Sequence, residues 1–268
     1  MSETPAETYE TLLRRAHDDT AVLAFWLGGS RGMGRPTEHS DYDCCFIVTE
    51  EAYEPFCAEL GLSGSFQGDW RPKVDLKVMT FPMFEAHAAW NSDERGYRYT
   101  FAHMRAQVDK TGRAQPMIDA KARVPEGEIE PFVAASLDHA LNQLYRAVKC
   151  LRDGDKDASR LEAAEGVTPF IDALFAVHGG RLRPYYKYLR WELAQHPLER
   201  APFAPEALMA LLTGLVAPEG VFALQRLMAK TQPLFRSFGH DATYDGWGRA
   251  LDFMLNYPRP AADLRAKP

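Results

Sequence analysis

Three aspartates and one glycine-serine turn are the residues here whose types and spacing suit chemistry. The apolar run AVLAFWL ends at Gly28-Gly29-Ser30. Glycines there permit positive φ and a close approach of the backbone to a ligand. The N–H groups of such a turn can cradle phosphate oxygens, and the serine hydroxyl adds a donor. Eleven residues after Ser30 comes Asp41, followed by Asp43. On a strand these two share a face, with Cα atoms about 6.6 Å apart. Asp75 lies mid-strand between Val74 and Leu76, which point to the other face. A paired strand is about 4.8 Å away, so Asp75 can join the same cluster. Three carboxylates repel one another without a cation. Hard oxygen ligands with open positions favour Mg²⁺ shared with a triphosphate, and paired ions in such sites sit about 3.5–4 Å apart.

The elements that must position these residues are legible. Residues 5–19 show helical spacing at Leu12, Leu13 and Ala16, with Thr4 or Ser2 as cap. Ala21 to Leu27 reads as a buried strand entering a tight turn. RGMGRPTEHS is a loop, DYDCCFIVT a second strand, and Thr49 starts a helix that runs to about Leu60. Gly61 to Gly68 is turn-rich, with room for a short edge strand. KVDLKVMT alternates as a third strand. Phe81 to Asn91 and Glu94 to Arg105 are expected as helices, and QVDKTG as a strand ending in a turn. After residue 125 helical periodicity takes over: about 128–152, 158–178, 184–196, 205–215, 218–237 and 242–256. The tail PRPAADLRAKP is expected to fray. The expected fold class is α+β. Residues 1–125 would form a mixed sheet flanked by helices, and residues 126–268 a helical bundle closing one side of the cleft.

Composition narrows the classes. The chain has 268 residues, 46% hydrophobic and 25% charged, with a formal charge of -6. That is ordinary for a globular enzyme and argues against a broad electrostatic grip on nucleic acid. The N-terminus MSETPAETYE is no secretory signal, and Ala21 to Leu27 is too short to span a bilayer. The expectation is a cytoplasmic protein with neither a nucleic-acid nor a membrane partner. Cys44, Cys45, Cys57 and Cys150 include no C-x-x-C pair, and Cys44 and Cys45 would face opposite sides of a strand. Buried thiols are expected.

The order Gly-Ser, short linker, Ser40-Asp41-x-Asp43, then a lone Asp75 on a later strand resembles the DNA polymerase beta-like nucleotidyltransferase superfamily. Chain size and the helical second half are similar to small-molecule nucleotidyltransferases that modify aminoglycosides or lincosamides. The likeness is strongest over residues 20–80. Further on, VDKTG resembles a D-x-x-G turn after the catalytic core, and RPYYKYLRWEL resembles a helix that brings a lysine to the phosphates. Residues 200–268 match nothing. The resemblance implies that Gly29 and Ser30 bind the β/γ-phosphates. Asp41, Asp43 and Asp75 would be catalytic and hold two Mg²⁺ ions, Asp75 nearest the attacking hydroxyl, and Lys187 would contact the triphosphate. The implied reaction is attack of a small-molecule hydroxyl, an antibiotic by analogy, on the α-phosphorus of an NTP, ATP by preference, with release of pyrophosphate. One departure stands out: a methionine, Met33, occupies the place of the usual arginine, for which Arg31 or Arg35 would substitute.

Other readings stay open. Glu162 and Glu165 share a helix face and are candidate general bases, as is Glu94, but an ordinary solvated face is the preferred reading of the first two. Arg181 and Arg183 read as helix-start surface residues. The histidines, His39, His103 and His178 among them, show no metal-ligand spacing. Trp90, Tyr97, Tyr99 and Phe101 line a cleft or fill a core. Rival functions are nucleotidylation of a protein acceptor, an inactive binding module of the toxin-antitoxin kind, and transfer to an RNA terminus. The last is disfavoured by the negative charge.

Overall fold

The computed structural model describes residues 3–259. Ser2 as an alternative cap, and the tail from residue 260 onward, lie outside the described residues. The chain divides into two compact units, Met1–Val124 and Pro125–Pro268.

The first unit opens with α1 (Pro5–Asp18), where Thr4 and Glu7 cap each other's backbone N–H groups reciprocally. Then follow β1 (Val22–Leu27), the single turn α2 (Gly29–Gly32), β2 (Tyr42–Val48), α3 (Tyr53–Glu59), β3 (Phe66–Arg71) and β4 (Val74–Met79). The unit continues with α4 (Phe81–Ala86), a 3-10 helix (Asp93–Phe101), β5 (Ala106–Asp109) and α5 (Ala114–Lys121). The sheet order is β3-β4-β2-β1-β5. Only β2 and β4 run parallel; the other pairs are antiparallel, so the sheet is mixed and the class is α+β.

Strand alternation divides the core between the two faces. Phe25, Cys44, Phe46, Val74, Leu76 and Val78 pack with Leu12 of α1 and Phe56 of α3. Trp26, Cys45, Ile47 and Met79 pack on the other face with Phe84 of α4, Phe101 of the 3-10 helix and Ile118 of α5. Cys44 and Cys45 thus enter opposite cores, and burial pushes the Cys44 thiol up to about 12, with Asp43 and Asp75 pushing the same way.

Several expected boundaries move. The helix after β2 starts at Tyr53, because Thr49 first closes a turn through its carbonyl and hydroxyl on the Ala52 N–H. The helix expected to reach Asn91 ends at Ala86: His87 is extended, and buried Ala88 takes φ +51°, a left-handed conformation strained for alanine. The segment read as a helix from Glu94 is the 3-10 helix Asp93–Phe101. Helix α5 lies in a stretch to which the periodicity gave no element.

The second unit contains, among the described residues, a short 3-10 turn (Glu126–Glu128) and eight α-helices. They are α6 (Ile129–Arg152), α7 (Lys156–Glu165), α8 (Val167–Ala176), α9 (Tyr186–Gln195), α10 (Pro205–Gly214), α11 (Gly220–Ser237), α12 (Asp241–Asp245) and α13 (Arg249–Leu255). Val133, Leu137, Leu141, Leu144 and Val148 form the buried stripe of α6, which packs on α7 and α8. The single helix expected over 158–178 breaks at Gly166, where any Cβ would meet Leu224 Cδ2 at 2.7 Å. The one expected over 242–256 breaks near Gly248, at φ +50°. No helix among the described residues is long and apolar enough to cross a membrane.

Two buried cations tie α4, the 3-10 helix and α5 together. Arg98 donates to the carbonyls of Ala88, Ala120 and Arg123. Lys121 donates to those of Glu85 and His87. Burial pushes Lys121 down to about 8, and Arg98 pushes the same way. A folded pKa below the ordinary lysine value means that the charged form is disfavoured by folding. This penalty is relieved as pH rises from about 8 to the ordinary value of 10.5. In urea denaturation, the native protein should therefore gain stability relative to Lys121→Met across that window. A difference that stays flat or shrinks with rising pH would contradict the assignment.

Candidate active site

The ends of β2 and β4 build the site. Their parallel register sets Asp43 directly beside Asp75, with Tyr42 beside Val74 and Cys45 beside Lys77. Because Cys44 and Leu76 fill the core under α1, Asp43 and Asp75 must face the opposite side. The chain leaves β1 at Gly28, whose N–H donates to the Asp43 carbonyl at 2.7 Å. Gly29 follows at φ +57°, and a Cβ there would sit 1.9 Å from Asp43 Oδ2. Only glycine lets the backbone lie against that carboxylate. From the far side, the irregular register of β3 puts Asp69 at φ +46° and aims its N–H at Asp75 Oδ1, 2.7 Å away.

In front of this pair lies a cavity of about 850 Å³ lined by residues of the first unit, including Gly28, Gly29, Asp43 and Asp75. Ser30 and Asp41 are not among its lining residues. The Ser30 hydroxyl donates to Ser40 Oγ at 2.7 Å, and Ser40 Oγ also accepts the Thr37 N–H. Ser30 therefore holds the linker in this structure. Asp41 precedes the first residue of β2 and is exposed. Arg31 donates to the Ser40 and Asp41 carbonyls and stacks 4.0 Å from the Tyr42 ring centre. It therefore fastens the entry to β2. Met33 is buried, so its position points inward, and Arg35 is exposed.

The expected gathering of three carboxylates appears as a pair, Asp43 with Asp75. Among the described residues no three His, Cys, Asp or Glu side chains come together as a metal-holding group. The pair itself fits a hard divalent cation: two carboxylates from adjacent strands, on one sheet face, open to a cavity.

Lys187 belongs to the second unit, exposed on α9 with its ammonium 4.8 Å from the Tyr188 ring centre. Glu162 is half-buried and binds Arg146 at 2.6 Å, and Glu165 is exposed. Arg181 and Arg183 bond to Glu192 and Asp172 within the same unit. Asp109 of the VDKTG turn accepts the Gln115 N–H and so caps α5.

Glu94, a candidate general base from the sequence, lines the cavity beside the aspartates, together with two residues that the sequence did not single out, Lys77 and His87. Lys77 Nζ lies 3.3 Å from His87 Nε2, and His87 Nδ1 lies 3.0 Å from Glu94 Oε2. An ammonium only donates, so Nε2 accepts and Nδ1–H donates to Glu94. Burial lowers the His87 pKa, with Lys77 pushing the same way and Glu94 opposing. The Ala88 N–H, donated to Glu94, holds that carboxyl below its ordinary value. Part of this was visible in KVDLKVMT, where Lys77 stands two residues from Asp75 and thus on its face. The place of His87 was not visible, because it depends on the left-handed break at Ala88. Of the aromatic set, Tyr97 and Phe101 line the cavity, whereas Tyr99 is buried and Trp90 carries Arg95 and Arg98 over its ring.

No family model matches the chain, and no curated protein matches it. Among solved structures it is similar to a nucleotidyltransferase-like protein from Exiguobacterium sibiricum 255-15, at 11% identity and a TM-score of 0.42, over 92% of this chain and 88% of that one.

Gly29→Ala should lower stability by about 1–3 kcal/mol, through positive φ and the clash with Asp43. Denaturant midpoints check this, and an unchanged midpoint would show that the turn adapts freely.

Proposed function

We propose that this protein is a nucleotidyltransferase moving a nucleoside monophosphate, AMP by preference, from an NTP to a hydroxyl of a small molecule. The observation that carries this reading is the register pair Asp43 and Asp75, with Gly29 packed against Asp43 at the mouth of one cavity. In the reaction the acceptor oxygen bonds to the α-phosphorus, the bond to the bridging oxygen breaks, and pyrophosphate leaves. A bound Mg²⁺ would supply charge neutralisation on the phosphate oxygens. Asp43 and Asp75 are the residues to hold it, with Asp41 as the third carboxylate of the motif. The side-chain-free backbone at Gly28 and Gly29 admits phosphate oxygens closely. In this reading Asp75, which accepts the Asp69 N–H through Oδ1, would help take the hydroxyl proton. Lys187 remains a triphosphate ligand by resemblance alone.

The exposed position of Asp41 favours a second reading, a binding module that keeps the fold without catalysis. Calorimetric titration of ATP, GTP, CTP and UTP with Mg²⁺ separates them. One NTP should bind, and Asp43→Asn or Asp75→Asn should weaken it by about tenfold or more, a loss of roughly 1.4 kcal/mol. Binding insensitive to both Mg²⁺ and these substitutions would sink the catalytic reading.

A further inference from the structure

We propose that Lys77, positioned by His87 and Glu94, is an oxyanion-binding group on the β4 side of this cavity. It would receive either a phosphate of the nucleotide or the acid group of the acceptor. The inference rests on the cavity being the reaction site proposed above, but its geometry stands on its own.

Lys77 is half-buried in the middle of β4, on the face that carries Asp75. A charge so placed is costly unless something answers it. Its ammonium donates to His87 Nε2 and lies 5.2 Å from the Phe66 ring centre. Among the described residues it forms no ion pair with a carboxylate. Glu94 is separated from it by the intervening imidazole, and Asp75 lies two residues back along β4 on the same face. A neutral imidazole can orient an ammonium without neutralising it. Of its three donors, the ammonium spends one on the ring. The charge is thus aimed into the cavity with two N–H donors beyond the one given to the ring.

The aiming is built into the fold. Left-handed Ala88 turns the chain so that His87 reaches the cavity. Its N–H is held by Glu94 and its carbonyl by Arg98. Backbone strain maintained by two charged side chains beside a cavity points to a functional placement. The location separates Lys77 from the glycine turn: Gly28 and Gly29 follow β1, whereas Lys77 and Phe66 lie on β4 and β3, across β2. Phe66 and Tyr97 are exposed aromatics on the same cavity. The ligand group at this wall therefore combines an oxyanion with a flat apolar neighbour.

Calorimetry on the full chain tests this with three probes: pyrophosphate in chelator, Mg-ATP, and 4-hydroxybenzoate added to protein loaded with a non-hydrolysable ATP analogue. Pyrophosphate should bind without metal. Lys77→Met should weaken it by about tenfold, and Lys77→Arg should retain most of the affinity. His87→Ala should weaken it less, His87→Gln should restore it by accepting from Lys77, and His87→Ala should add nothing in the Lys77→Met background. A merely structural His87 would instead lower affinity in both backgrounds. A matching loss for Mg-ATP assigns the anion to the nucleotide. Unchanged Mg-ATP with lost 4-hydroxybenzoate assigns it to the acceptor. Pyrophosphate binding that needs Lys77, in a protein that binds no Mg-ATP, would keep this site and sink only the transferase reading. No anion bound by the native protein, or anion binding indifferent to both Lys77 substitutions, overturns the proposal.

Discussion

The contact of the Asp43 carboxylate with the bare backbone of Gly29 is the constraint on which the site depends. It requires β1 and β2 to pair so that Gly28 bonds the Asp43 carbonyl, and it requires β4 to run parallel to β2 in the register that sets Asp75 beside Asp43. A one-residue slip of β4 against β2 would send Asp75 into the apolar core under α1 and bring Leu76 to the cavity, and a slip of β2 against β1 would do the same to Asp43 and Cys44. Burying a carboxylate in that core is far costlier than any turn strain, so hydrophobic patterning and the site enforce the same register.

The opposite wall is governed by backbone carbonyls that need partners. Helix α4 ends early, and its last carbonyls, with those around Ala88 and the end of α5, are satisfied by Lys121 and Arg98. These two cations are costly to bury, but they hold in place a bend that no helix would adopt. The bend is what carries His87 to the cavity.

Electrostatically the cavity has two sides. The β2 and β4 strand ends present carboxylates, which suits cations and the phosphates that accompany them. Two residues further along β4 the same sheet face presents an ammonium. A surface that holds both signs within one or two strand repeats is matched by a ligand that is itself divided in charge.

Alternation in DYDCCFIVT and KVDLKVMT was enough to assign the faces, because a strand puts every second side chain on one side whatever surrounds it. The glycines before the second strand, the capping box of α1 and the helical second half are likewise local properties of the chain. What periodicity could not show depends on distant partners. The end of α4 rests on hydrogen bonds from Glu94, Arg98 and Lys121, and the break at Gly166 on the approach of Leu224. The spacing of Asp41 and Asp43 suggested equal ligands. Tertiary structure set them apart, because Arg31 and Ser30 hold the linker and Asp41 falls just outside the strand, where alternation no longer applies. Sequence alone determined which residue types share a sheet face. Only the folded chain decided which of them meet across it, because register and helix ends are settled by contacts between segments far apart in the chain.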